Sequence, residues 1–196
     1  HSGDDIDALF AELETPIEAF DYSDFNGEQD GLSYVHTVNH CGRIMALIKH
    51  WALHLRQIDQ ELKRPADQMP LQYVYYTRFV QILRVDGETA GQYRVILPDE
   101  RLKAKYDLDE MDLFILWLIA SLQIDQDVRE CLMPTWTQGN IVLMSPATIM
   151  RFVTTNQMEK SELLFRLSQS ARLHRFDLVR TTFTRNPILP LYFELS

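Results

Sequence analysis

Cysteine is scarce in this chain: Cys41 and Cys131 are the only two in 196 residues, with neither a disulfide framework nor CxxC spacing. Such usage suits a reducing compartment, and a cytoplasmic location is expected. Long apolar runs are missing too. LFILWLIASL, from Leu113 to Leu122, is bounded by Asp112 and Asp125. It falls far short of the ~20 residues that cross a bilayer and reads as a buried helix, so no membrane partner is expected. No basic stretch followed by an apolar one opens the sequence, so no secretory signal is expected. The few glycines form no GxxxxGK[ST] loop; Gly87 and Gly91 lack the lysine and the following helix that a phosphate cradle requires.

Positive charge is absent from the first part of the chain. Residues 1–42 carry ten Asp and Glu and no Lys or Arg, whereas residues 43–196 carry eighteen acids against nineteen bases. The net charge of −9 therefore belongs to an acidic N-terminal arm, and the remainder is near neutral. What is present is an ordinary globular composition, 46% hydrophobic and 24% charged, enough to bury a core within one domain.

The arm, residues 1–33, opens with a capping box over Ser2 to Asp5. Ile6, Leu9, Phe10 and Leu13 follow at helical spacing, with Asp5, Asp7, Glu12 and Glu14 on the other face. Thr15-Pro16-Ile17-Glu18 predicts a second short helix, and SDFNGEQDG from Ser23 to Gly31 reads as a linker. The apolar stripe marks Ile6, Leu9, Phe10 and Leu13 as candidate partner-binding residues, or as a segment covering its own domain.

A long helix is predicted from about Tyr34 to Lys63, with Ile44, Ile48, Trp51, Leu55, Ile58 and Leu62 as its apolar stripe. His36, His40, His50 and His54 lie beside that stripe as two HxxxH pairs. A metal site needs at least a third ligand, and none is evident, so these histidines read as a polar flank. LQYVYYTRFVQILRV, the Asp86-Gly87 turn signal and QYRVIL predict an inserted β-hairpin over residues 70–98, although a helix over 71–83 stays open. A short helix near Glu100–Lys105, one starting around Asp109 and one opened by Ser145-Pro146 follow. After a polar loop come a last helical turn and strands, including SQSARLHRFDLVR, in which Leu173, Phe176 and Leu178 alternate with basic positions.

The order of the helix at Leu108-Asp-Glu-Met-Asp112, the helix at Ser145-Pro146, then Leu173-His-Arg-Phe176-Asp-Leu178 and Pro187-Ile188 with Leu191 to Leu195 resembles the winged-helix domain preceding the core of a group of bacterial AAA ATPases. In that family Phe and Glu are usual where Met111 and Asp112 stand, and Trp is common in place of Phe176. The resemblance covers roughly residues 35–64 and 100–196. It implies an α+β, helix-rich winged-helix-like domain, residues 34–196, with a long N-terminal helix, the inserted hairpin and a C-terminal wing. It further implies a non-catalytic recruiting or regulatory role, docking a protein substrate or adaptor, with any homo-oligomer formed through an ATPase core that these residues do not contain. No cofactor is expected in this chain.

A winged helix also raises nucleic-acid binding or transcription regulation as the alternative. Residues 150–186 hold seven Lys and Arg against three acids, a mild bias that disfavours DNA as the partner. Arg172, Arg175 and Arg180 instead read as a protein-docking edge. No Ser/His/Asp or Cys/His set stands at a recognisable spacing, and Cys41 beside His40 is adjacency alone, so no enzyme is expected.

Overall fold

In the computed structural model the described residues are 11, 13–61, 71–131, 136–138, 141–143, 146–153, 157–168, 172–182 and 192–195. Two long helices organise them. Helix α1, Gln29–Glu61, turns His36, His40, Ile44, Leu47, Ile48, Trp51 and Leu55 inward at three- and four-residue steps. Helix α2, Leu71–Gln92, answers with Tyr75, Phe79, Ile82, Asp86 and Ala90 at the same period. Trp51 is where the packing converges. Its ring stacks on Tyr75 at 4.9 Å and 7° and meets Phe114 at 5.6 Å and Phe152 at 5.0 Å.

The rest of the chain wraps this pair. Helix α3 is Pro98–Tyr106, α4 is Glu110–Ile124 and α5 is Gln126–Cys131. Two short strands, β1 (Trp136–Gln138) and β2 (Ile141–Leu143), pair antiparallel. Helices α6 (Pro146–Val153), α7 (Gln157–Arg166) and α8 (Arg172–Arg175) precede strands β3 (Val179–Thr182) and β4 (Tyr192–Leu195), which also pair antiparallel. Helix α4 is the apolar centrepiece: Leu113, Phe114, Ile115, Leu118, Ile119 and Leu122 are all buried. A reciprocal capping box starts it, with Asp109 Oδ1 accepting from the Asp112 amide at 2.9 Å and Asp112 Oδ2 accepting from the Asp109 amide at 3.3 Å. One core cluster runs from Leu13 of the arm through α1, α2, α4, α6 and α7 to Val179.

The expected α+β class with an inserted hairpin is overturned. Residues 71–92 form one uninterrupted helix, and Asp86-Gly87 sits inside it instead of turning the chain. Aromatic and β-branched residues suggested strands, but their three- and four-residue repeat lets them pack on α1, and that burial decides the conformation. The architecture is helical, decorated among the described residues by two separate two-stranded ribbons of three- and four-residue strands. The strand expected to begin a wing at Leu173 is not there: Arg172–Arg175 is a helical turn, and Asp177, at φ 55, reverses the chain before Val179.

Other boundaries moved less. Helix α1 begins at Gln29, inside the expected linker, and residues 16–22 are not helical, so the short helix expected after Thr15 does not form. A full helix, α7, occupies much of the polar loop expected after α6. Among the described residues no helix is long and apolar enough to cross a membrane.

Candidate protein-docking surface

His36, His40 and His54 of α1 are buried and His50 half-buried, so the row is not a polar flank, and each region of α1 gives them different neighbours. His40 is 1% exposed; its Nδ1 lies 2.9 Å from Asp86 Oδ2 and its Nε2 2.7 Å from Asp99 Oδ2. Arg43 completes the network, donating to Asp86 Oδ1 at 2.7 Å. Burial opposes a charge on the ring, but the hydrogen bonds it donates to both carboxylates outweigh it and push His40 up to about 9. Two bound nitrogens and this burial make His40 a charge-balanced structural tie between α1, α2 and the first turn of α3, with no nitrogen left to serve as a base. His36 packs on Tyr22 at 3.7 Å between ring centres, while the Tyr75 hydroxyl lies 2.9 Å from His50 Nδ1 and 3.3 Å from His54 Nδ1. Burial holds His36 and His54 below the usual imidazole range. Among the described residues no three His, Cys, Asp or Glu side chains are grouped to hold a metal ion.

The candidate arm residues divide. Ile6, Leu9 and Phe10 lie outside the described residues. Leu13 is buried in the main core, with Ile17 packed beside it. Further along, the Arg43 guanidinium lies 3.8 Å from the Phe20 ring and donates to the Glu18 carbonyl at 2.9 Å. The Arg78 guanidinium donates to the Thr15 carbonyl, and Asn39 donates to the Tyr22 hydroxyl at 3.1 Å. From Leu13 to Tyr22 the arm is therefore fastened to its own domain by basic residues of α1 and α2.

The basic candidates are partly committed as well. Arg172 lies 3.4 Å from Asp107 and 3.8 Å from Asp112, and Arg175 sits 5.7 Å from the ring centre of Phe176. Arg180 lies opposite Glu194 in the register of β3 and β4, and its side chain is outside the described set.

A different surface stands out on α7. Leu163 and Leu167 point into the core, yet Met158 is 85% exposed, Phe165 68% and Leu164 50%. Met158 and Phe165 are seven residues apart and share one side of the helix, with Ser161 between them. The neighbouring side holds Glu159, Glu162 and Arg166, which face α2 across a cleft of about 210 Å³. Buried Leu163 and half-buried Tyr76, Met111 and Val153 supply its lining, and Tyr73 and Glu162 its exposed rim. The Tyr73 hydroxyl donates to Glu159 Oε1 across this gap. Arg166 is held by Asp109 at 2.6 Å, Glu162 at 2.9 Å and Asp112 at 3.4 Å. Despite its burial, Asp109 is kept below the usual carboxylate range by the Arg166 hydrogen bond, whereas burial and then Asp109 raise Asp112.

Sequence reasoning passed over this surface because it placed residues 155–161 in a loop. The available signal was the run Leu163-Leu164-Phe165 flanked by Glu159, Glu162 and Arg166, because an amphipathic surface helix covers only one face and leaves part of such a run outside. No family model, no curated protein and no solved structure matches the chain, so the resemblance to recruiting domains of AAA ATPases rests on its own sequence positions.

Proposed function

We propose that this chain is a non-catalytic docking domain for a protein substrate or adaptor, acting as the N-terminal recruiting domain of an AAA ATPase whose core is not among these residues. The observation that carries the reading is the exposed apolar strip of α7. Met158, Leu164 and Phe165 stay in water although each would contribute roughly 1.5–3 kcal/mol if covered, which is characteristic of a surface with a partner. The buried His40 network supports the non-catalytic part, because its imidazole is saturated by carboxylates. The sequence resemblance supports the recruiting part. The nucleic-acid alternative has less behind it, since Arg172 is turned toward Asp107 and Asp112 and acids border α7.

The test is photo-crosslinking in the native cells, with a photoreactive residue at Phe165 of the full-length protein and, as reference, at the exposed Tyr34 of α1. The docking reading expects discrete protein adducts from position 165 that are absent from position 34. Adducts to nucleic acid, or no adduct specific to 165, would overturn it.

A further inference from the structure

We propose that the cleft between α2 and α7 is a receptor for a lysine or arginine side chain of the docked protein, held within a segment whose apolar residues lie on Met158 and Phe165. This assignment rests on the docking reading above and specifies the chemistry of the partner.

Shape comes first. The cleft is lined by the hydrocarbon and ring surfaces of Tyr76, Met111 and Leu163, which suit the methylene stem of a long basic residue. Two tyrosines, Tyr73 and Tyr76, line the cleft, and aromatic rings attract a cationic head. Charge then sets the sign. Glu159 and Glu162 line the cleft against Arg166, and Asp109 and Asp112 stand behind Arg166. Arg166 is held by Asp109, Glu162 and Asp112, so its charge is answered locally. An incoming acid would meet like charge, and a purely apolar side chain would leave the rim carboxylates partly desolvated without compensation.

The Tyr73–Glu159 hydrogen bond closes the mouth in the free protein. A lysine ammonium or arginine guanidinium takes the place of the tyrosine hydroxyl on Glu159, exchanging a neutral donor for a charged one. Glu162, 66% exposed, holds Arg166 with Oε1 and adds a second carboxylate at the rim. Beside it, Met158 and Phe165 continue as an apolar strip on the next side of the same helix, so one amphipathic segment reaches both features.

The probe is a synthetic amphipathic peptide of leucine and lysine, compared with the same peptide carrying glutamate for lysine, titrated against the intact chain at physiological salt. The lysine peptide is expected to bind saturably and the glutamate peptide at least tenfold more weakly. Glu162→Lys, at an exposed position, weakens the lysine peptide at least fivefold, and Asp24→Lys, which makes the same charge change away from the cleft, leaves it within twofold. Tyr73→Phe removes the competing hydroxyl and tightens the lysine peptide, which keeps the test decisive should Glu162→Lys not fold. If both peptides bind equally and only Met158→Ser with Phe165→Ser abolishes binding, the cleft assignment is wrong while the docking reading stands. If none of these substitutions alters binding, both are wrong.

Discussion

His40 holds two carboxylates that arrive 46 and 59 residues further along the chain, and Arg43 holds the first of them from the other side. The folded-state pKa, about 9 against an ordinary 6.5, makes this histidine a source of pH dependence. A raised pKa stabilises the fold fully below 6.5, and the contribution is lost as pH climbs through about 9. His36 and His54 act with the opposite sign: burial lowers them, so their neutral forms are favoured in the fold, and stability is lost as pH falls below 6.5. Chemical denaturation from pH 5 to 10 is therefore expected to show a maximum near 6.5, with an alkaline decline of a few kcal/mol traceable to His40. Replacing His40 with Gln leaves Asp99 buried without its cation and Asp86 with Arg43 alone, and costs on the order of 3–5 kcal/mol at neutral pH. The histidine stripe was legible in the sequence, but its role was not. Nothing local distinguishes a polar flank from a buried row when the partners lie tens of residues away.

Elements were legible where one period dominated. The stripe of α1, the acidic start of α4 and the Ser145-Pro146 signal before α6 all locate helices that form. Helix α2 was legible only as the alternative over 71–83, because Tyr73, Tyr75, Tyr76 and Phe79 carry strand propensity and Asp86-Gly87 mimics a turn. Tertiary contact settled it: Tyr75 on Trp51, Phe79 on Phe114 at 5.0 Å and Asp86 on His40 are possible only if these positions share a helical face. The arm teaches the converse. Its apolar spacing was visible, but whether it covered its own domain or a partner was not, and from Leu13 to Tyr22 it covers its own. Leu13→Ala is accordingly expected to destabilise the chain by about 2–3 kcal/mol, lowering the thermal midpoint by roughly 4–10 °C. An unchanged midpoint would mean that the arm is not part of the cooperative unit.

At the scale of the whole molecule, charge and shape separate the possible partners. Ten acids stand in residues 1–42 and acids border the α7 cleft, so duplex DNA binding is expected to be weak and to vanish as salt is raised. A fluorescence anisotropy titration across salt concentrations checks this, and tight sequence-selective binding at physiological salt would replace the protein partner with a nucleic acid. That the apolar strip of α7 is surplus to the fold is the premise of docking through it. It is tested most directly by the thermal midpoint of the Met158→Ser, Phe165→Ser variant against the unaltered chain. If the strip serves a partner, both side chains are solvated in the free protein and the midpoint stays within about 2 °C. A drop of more than about 5 °C would show that Met158 and Phe165 stabilise the domain itself, and would contradict the account.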